Sequence, residues 1–305
     1  MKKKLLGWIM AAVVGTAMSI VPAPAVFAAQ TAETSSSQNV VMITPESMSP
    51  KSTAGYWTAI KTAVGNGGKT VKFQPGHTYH ISGMIRVPSN TTIDATGATI
   101  VEDMPGCTML SQPDERCNNS KIKGYNAVHD ITIKGGTWIG TKKTRAGAGS
   151  KEGYKNGCNV VNFLHAKNIT IKDATLYNCY NAHIIELTGC KNCKIQNCNI
   201  GMTASGKAGF YYGSSNNGAI QLDACTAAVN NPRGRTFDGT PCRTITISGC
   251  KIHYPTGIEC AQTVRGNKLT TSVKISNNKI WYHYKPFITK HTSKISIKGN
   301  KTVKY

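Results

Sequence analysis

Asn181-Ala-His-Ile-Ile-Glu-Leu-Thr-Gly-Cys-Lys-Asn-Cys-Lys-Ile-Gln-Asn-Cys-Asn-Ile200 reads as one full turn of a solenoid. A strand is expected over about 183–187, a Gly-Cys-Lys-Asn corner follows, then a second strand near 193–195 and a third at Ile200. In the first strand Ile185 and Leu187 share one face while Ile184 and Glu186 share the other, because strand side chains alternate. A single such turn cannot bury its apolar face, so copies must stack above and below it.

The copies are present. Asp130-Ile-Thr-Ile-Lys-Gly-Gly, Asn168-Ile-Thr-Ile-Lys-Asp-Ala, Arg243-Thr-Ile-Thr-Ile-Ser-Gly-Cys, Ser272-Val-Lys-Ile-Ser-Asn-Asn and Ser293-Lys-Ile-Ser-Ile-Lys-Gly-Asn repeat the second-strand motif. Their last isoleucines, with Ile195, stand at 133, 171, 195, 247, 275 and 297, with gaps of 38, 24, 52, 28 and 22. The period is near 24, and the two long gaps hold excursions. β-Branched runs broken by Gly and Asn corners at this period predict an all-β fold, a single-stranded right-handed parallel β-helix. No Leu-x-x-Leu-x-Leu pattern supports a leucine-rich repeat.

Outward from these repeats, Lys2-Lys3-Lys4 precede an apolar run from Leu5, and Val26-Phe27-Ala28 offers a cleavage site, so residues 1–28 read as a secretory signal peptide. Gly15, Ser19, Pro22 and Pro24 interrupt the run and argue against a membrane anchor. Residues 29–50 are Ser/Thr/Gln-rich and expected to be flexible. Residues 51–305 form the β-helix domain, opened by a helix over 52–65 with Trp57, Ile60 and Val64 on one side, a cap for the open end of the solenoid. The formal net charge is +22, three of it from Lys2, Lys3 and Lys4. The spread of lysine points to an anionic partner such as an acidic polysaccharide. Nothing resembles a nucleic-acid reading helix.

Ala59-Ile-Lys-Thr-Ala-Val-Gly-Asn-Gly-Gly-Lys-Thr-Val-Lys-Phe-Gln-Pro-Gly-His-Thr-Tyr-His-Ile81, followed by Val87-Pro-Ser-Asn-Thr-Thr-Ile93, resembles the opening segment of the pectin-lyase-like superfamily. The resemblance extends over residues 50–305 and implies a capping helix that leads into a right-handed β-helix. It implies action on, or binding to, polysaccharide and goes no further, since the fold hosts lyases, hydrolases, epimerases and adhesins. His183-Ile-Ile-Glu-Leu and Ala219-Ile-Gln-Leu-Asp resemble strands of Gram-positive β-helix proteins. The Asn-x-Asp, Asp-Asp, Gly-His-Gly and Arg-x-Lys motifs of polygalacturonases are missing. So is the aspartate cluster of calcium pectate lyases, so no cofactor or metal is expected and calcium has no acidic cluster to hold it.

The excursions at 140–158 and 201–217 leave the same corner on coils that flank the opening stretch, which predicts a cleft floored by Glu186 and His183. Aligning strands by the corners that follow puts Asn162, Glu186 and Gln221 in one outward column, with Leu164, Thr188, Asp223 and Glu259 in the next. Glu186 and Asp223 are then about 7–8 Å apart at Cβ, a range at which two carboxyl groups work as acid and base on a glycosidic bond. Only 14 residues of the chain are acidic, so their convergence stands out. Glu186, Asp223, Glu259 and His183 are the candidate catalytic residues, although three-residue spacing turns His183 away from Glu186 and favours a backbone-bonded corner histidine. Tyr211 and Tyr212 are candidate sugar-stacking rings, and Gln221, Arg233 and Arg235 candidate polar contacts. Of the 11 cysteines, Cys107–Cys117 and Cys225–Cys242 are expected as loop-closing disulfides, and Cys198 and Cys250 as an inward ladder of thiols. Cys190-x-x-Cys193 sits at a corner and reads as structural. The expectation is an exported, monomeric polysaccharide hydrolase or lyase, with a non-catalytic glycan-binding adhesin as the alternative.

Overall fold

The isoleucines that mark the repeat form one unbroken column. Ile93, Ile133, Ile171, Ile195, Ile247, Ile275 and Ile297 are successive partners in a parallel sheet. All are fully buried except Ile297 of the last coil, which is 40% exposed because no described strand covers it. Burying each such side chain contributes about 1.5–3 kcal/mol, and no coil gains it alone. The neighbouring inward column includes Ile131, Ile169, Cys193, Ile245 and Val273, so Cys193 takes an isoleucine's place as a small apolar group.

This computed structural model describes residues 39–47, 55–104, 108–113, 121–140, 158–180, 182–209, 211–212, 217–226, 238–260, 270–290 and 292–305. All belong to one contact unit, 37–305. The chain winds through three parallel sheets of nine, eight and seven strands as a right-handed parallel β-helix. The first sheet carries the isoleucine column, and Val40–Ile43 is its outermost strand, paired with Thr70–Phe73. Part of the stretch expected to be flexible, 29–50, is therefore strand, because alternation buries Ile43 while Val40 and Met42 face out. The second sheet runs from Thr78–Ile81 to Lys301–Lys304, and the third from Ile85–Arg86 to Lys285–Ile288.

Left-handed corners at Asp130, Asn168 and Asn192 turn the chain into the first sheet, with φ of 56°, 57° and 55°. Asx side chains tolerate this region and here they bond along the stack: the Asn168 amide donates to Asp130 at 2.8 Å, and the Asn192 amide to Asn168 at 3.2 Å. The helix is Trp57–Val64, shorter than expected, and buries Ile60, Ala63 and Val64 as a cap. The Trp57 indole N–H anchors it by donating to the Met84 carbonyl at 2.9 Å.

All nine described cysteines are thiols, with Cys198 and Cys250 buried as expected. The expected Cys225–Cys242 disulfide is absent because the two side chains point to different sides of the coil. Cys242 turns inward to the Leu187 carbonyl, 3.1 Å away, while Cys225 lies against His165. Cys107 and Cys117 lie outside the described residues.

Glu102 is a buried acid whose Oε1 accepts from the Met104 amide at 2.8 Å while Oε2 has no partner. Burial pushes its carboxyl up to about 8. A raised folded-state value means that the stability it allows is complete below its ordinary 4.5 and is lost as pH rises through 8. The urea midpoint should therefore fall between about pH 5 and about pH 9, and fall less in Glu102→Gln; equal slopes in both proteins would show that Glu102 does not cause it.

Candidate functional site

The third sheet sets the site. Its inward residues Ile185, Ile220, Ile258 and Phe287 are in register, and that apolar match aligns the polar residues that follow the first three, Glu186, Gln221 and Glu259. The resulting outward column is Arg86, Ser111, Asn162, Glu186, Gln221 and Glu259. Leu164, Thr188 and Asp223 form the next column. Glu259 thus belongs beside Gln221, not beside Asp223 as the corner-based alignment implies: Ile258 must face Ile220, and this outweighs corner position.

The outward face is also not an open floor. Glu186 is 7% exposed, Gln221 4% and Asp223 2%, so three polar side chains are buried side by side. Both oxygens of Glu186 are held: Oε2 accepts from the side-chain amides of Asn159 and, at 2.9 Å, Asn162, and Oε1 from the Thr188 hydroxyl at 3.4 Å. Asp223 accepts from the Gln221 amide at 2.9 Å. Desolvation first, and the Glu186 charge next, raise the Asp223 carboxyl well above its ordinary range. The acceptors Asn162 Oδ1 and Gln221 Oε1 are buried without a partner. Among the described residues no lysine or arginine pairs with any of the three acids.

Glu259 and His183 are half-buried, and the backbone of one residue, Gly218, bonds both. The Gly218 N–H donates to Glu259 Oε2 at 3.1 Å, and the Gly218 carbonyl accepts from His183 Nδ1 at 2.7 Å. A carbonyl can only accept, so Nδ1 carries the proton and Nε2 keeps its lone pair. Burial lowers the His183 value, against an upward pull from Glu186, while burial raises Glu259 to about 7. The result is a neutral imidazole on one side of Gly218 and, on the other, a carboxyl that keeps its proton up to about pH 7. Glycine is required between them, since a Cβ at 218 would stand 2.7 Å from Glu259 Cβ. His183 is the backbone-bonded corner histidine that the spacing favours, and that bond is what fixes its tautomer.

The backbone of Tyr211–Tyr212 pairs in parallel with Cys179–Tyr180. The stacking role expected of these tyrosines concerns side chains outside the described set; Arg233, Arg235 and residues 141–157 of the first expected cleft wall lie outside it too, while 201–209 of the second wall are described. Sequence reasoning missed Asn159, which binds Glu186 through its amide and the His183 N–H through its carbonyl oxygen at 3.0 Å. It precedes the strand Val161–Leu164, where strand alternation gives no signal.

No protein-family model matches the chain, and no curated protein matches it. Solved structures do. A surface adhesin of Streptococcus pneumoniae, PfbA, superposes with a TM-score of 0.62 at 19% identity, over 86% of this chain and 63% of the adhesin. A second structure of that adhesin gives the same score and identity over 67% of its chain. A tailspike protein mutant of an E. coli bacteriophage, in complex with pentasaccharide, has a TM-score of 0.51 at 13% identity, over 80% of this chain and 46% of the tailspike. The fold is that of the parallel β-helix proteins.

A buried acid flanked by partnerless acceptors is a poor arrangement for stability. In Glu186→Gln the Asn159 and Asn162 amides keep an acceptor, and the new N–H₂ gains Asn162 Oδ1 or Gln221 Oε1. This variant should be more stable than wild type by about 1 kcal/mol, read from thermal and urea unfolding. Destabilisation would show that the column is structural.

Proposed function

We propose that this protein binds a polysaccharide across the outer face of the third sheet and cleaves its glycosidic bonds at the half-buried end of the carboxyl column. The observation that carries the reading is the Gly218 backbone, whose N–H fixes Glu259 and whose carbonyl fixes His183 on its two sides. Glu259, protonated up to about 7, donates to the departing glycosidic oxygen. Neutral His183 accepts a proton at Nε2, from water in a hydrolysis or from a sugar carbon in an elimination. Behind them Asp223, its raised carboxyl favouring the neutral acid, holds the Gln221 amide, and Glu186 holds Asn159 and Asn162. Tyr211, Tyr212, Arg233 and Arg235 remain the candidates for sugar contact.

An anionic polymer suits the charge. His129, Lys167, Lys191 and Arg243 stack as successive partners on the first sheet, a basic column parallel to the solenoid axis. The pectin-lyase-like pattern of residues 59–93 and the tailspike's pentasaccharide complex support a saccharide partner. The signal-like N-terminus and the likeness to a surface adhesin support an extracellular place. The second reading, glycan binding without cleavage, draws on that adhesin and on the burial of Glu186 and Asp223.

The test is turnover on a panel of acidic and neutral polysaccharides. Unsaturated products would assign elimination, and new reducing ends without them hydrolysis. Turnover should fall as pH rises through about 7, where Glu259 loses its proton, and again at low pH as His183 gains one. Glu259→Gln should lower it by about 10²–10⁴-fold and leave glycan affinity within a small factor. Wild-type rates in Glu259→Gln would remove this site, and glycan binding with no product from any polymer would establish the binding-only reading.

A further inference from the structure

Where the expected Cys225–Cys242 bridge is absent, Cys225 joins a different group. His165, Cys225 and Asp238 each offer one ligand atom, and these atoms lie within 4.8 Å of one another. We propose that they bind one borderline-soft divalent cation of the zinc class, leaving one coordination position for water or a ligand. The donor set is the one such ions favour, an imidazole nitrogen, a thiolate and a carboxylate, at bond lengths of about 2.0–2.3 Å. Ligand atoms around such an ion therefore stand no more than about 4–5 Å apart, as they do here.

The surrounding structure orients all three. His165 Nδ1 donates to the Gly124 carbonyl at 2.8 Å, so the proton is on Nδ1 and the Nε2 lone pair points at Cys225 Sγ, 3.0 Å away. The same glycine donates its N–H to Asp238 Oδ2 at 2.7 Å, so the backbone of one residue positions two ligands. Thr240 completes the carboxylate's support through its hydroxyl at 2.6 Å and its N–H at 2.9 Å. A carboxylate has about four acceptor sites; three are taken and one is left for an ion. Backbone bonds from Cys225 N to Thr240 O and from Gly239 N to Cys225 O tie Cys225 to the segment that bears Asp238.

Gly189, one coil on from His165, lets Cys225 and the Thr240 carbonyl pack close to the backbone. A Cβ there would stand 3.3 Å from Cys225 Cβ and 3.0 Å from the Thr240 carbonyl, and its φ of +59° already disfavours a side chain. His165 and Cys225 are fully buried while Asp238 is exposed, so the group opens to solvent at the carboxylate. Hydrogen-bonded second partners of this kind hold metal ligands in place, and losing one commonly costs 10–100-fold in affinity. Binding would release the Cys225 thiol proton to solvent, so affinity should rise with pH.

The test uses the full chain, reduced and stripped with chelator, then titrated with Co²⁺. Thiolate ligation gives a near-ultraviolet charge-transfer band, expected to saturate at one equivalent and to be displaced by Zn²⁺. The band should vanish in Cys225→Ala and persist in Cys242→Ala, which controls for the other thiols. Asp238→Asn should weaken Co²⁺ at least about 10-fold. No band in wild type, or a band unchanged in Cys225→Ala, overturns the site and leaves a thiol–imidazole hydrogen bond only. The wild-type arm does not depend on any variant folding, and neither result bears on polysaccharide cleavage.

Discussion

A strand whose apolar face can be covered only by another copy of itself imposes everything else in this structure. The isoleucine column from Ile93 to Ile297 is the outcome, and its register admits no slip: moving one strand by one residue would expose its isoleucines and bury its lysines or threonines. With the register set by the inside, the outside has no choice of neighbours. Every outward residue lies about 4.8 Å from its counterparts on adjacent coils.

That is how Glu186, Gln221 and Glu259 come to share a line, with Asp223 diagonal to Glu186. Their proximity is enforced by Ile185, Ile220 and Ile258 on the other face, so burial of apolar groups overrides repulsion between acids. The cost shows in the raised Asp223 and Glu259 carboxyls and the partnerless acceptors of Asn162 and Gln221. Within this column Gly218 is the point of control, because its backbone gives Glu259 a donor and His183 an acceptor and its missing side chain lets Glu259 approach.

The fold was readable from residues because alternation and a period near 24 are local properties, and each repeat carries them. The outward column was half readable. Glu186 and Gln221 align from either strand pattern or corners, but Glu259 needed Ile258 matched to Ile220, a contact between coils. Burial of the column was not readable, nor was Asn159, which acts from outside a strand. Cysteine spacing misled for a related reason: Cys225 and Cys242 bracket a loop in the sequence, yet Cys242, just before the strand Arg243–Ser248, packs inward against the Leu187 carbonyl and the corner turns Cys225 to His165, 60 residues earlier.

The last described coil meets solvent with Ile297, Val303 and Tyr305 partly bare, 40%, 41% and 54% exposed. An unpaired strand edge with apolar side chains is a template for a second chain. Lys294, Lys298, Lys301 and Lys304 stand exposed along the same two strands, Thr292–Lys298 and Lys301–Lys304. A like edge brought against this one would set lysine against lysine, so tail-to-tail pairing of two copies through it is opposed by charge, and the barrier is one that concentrated salt would lower.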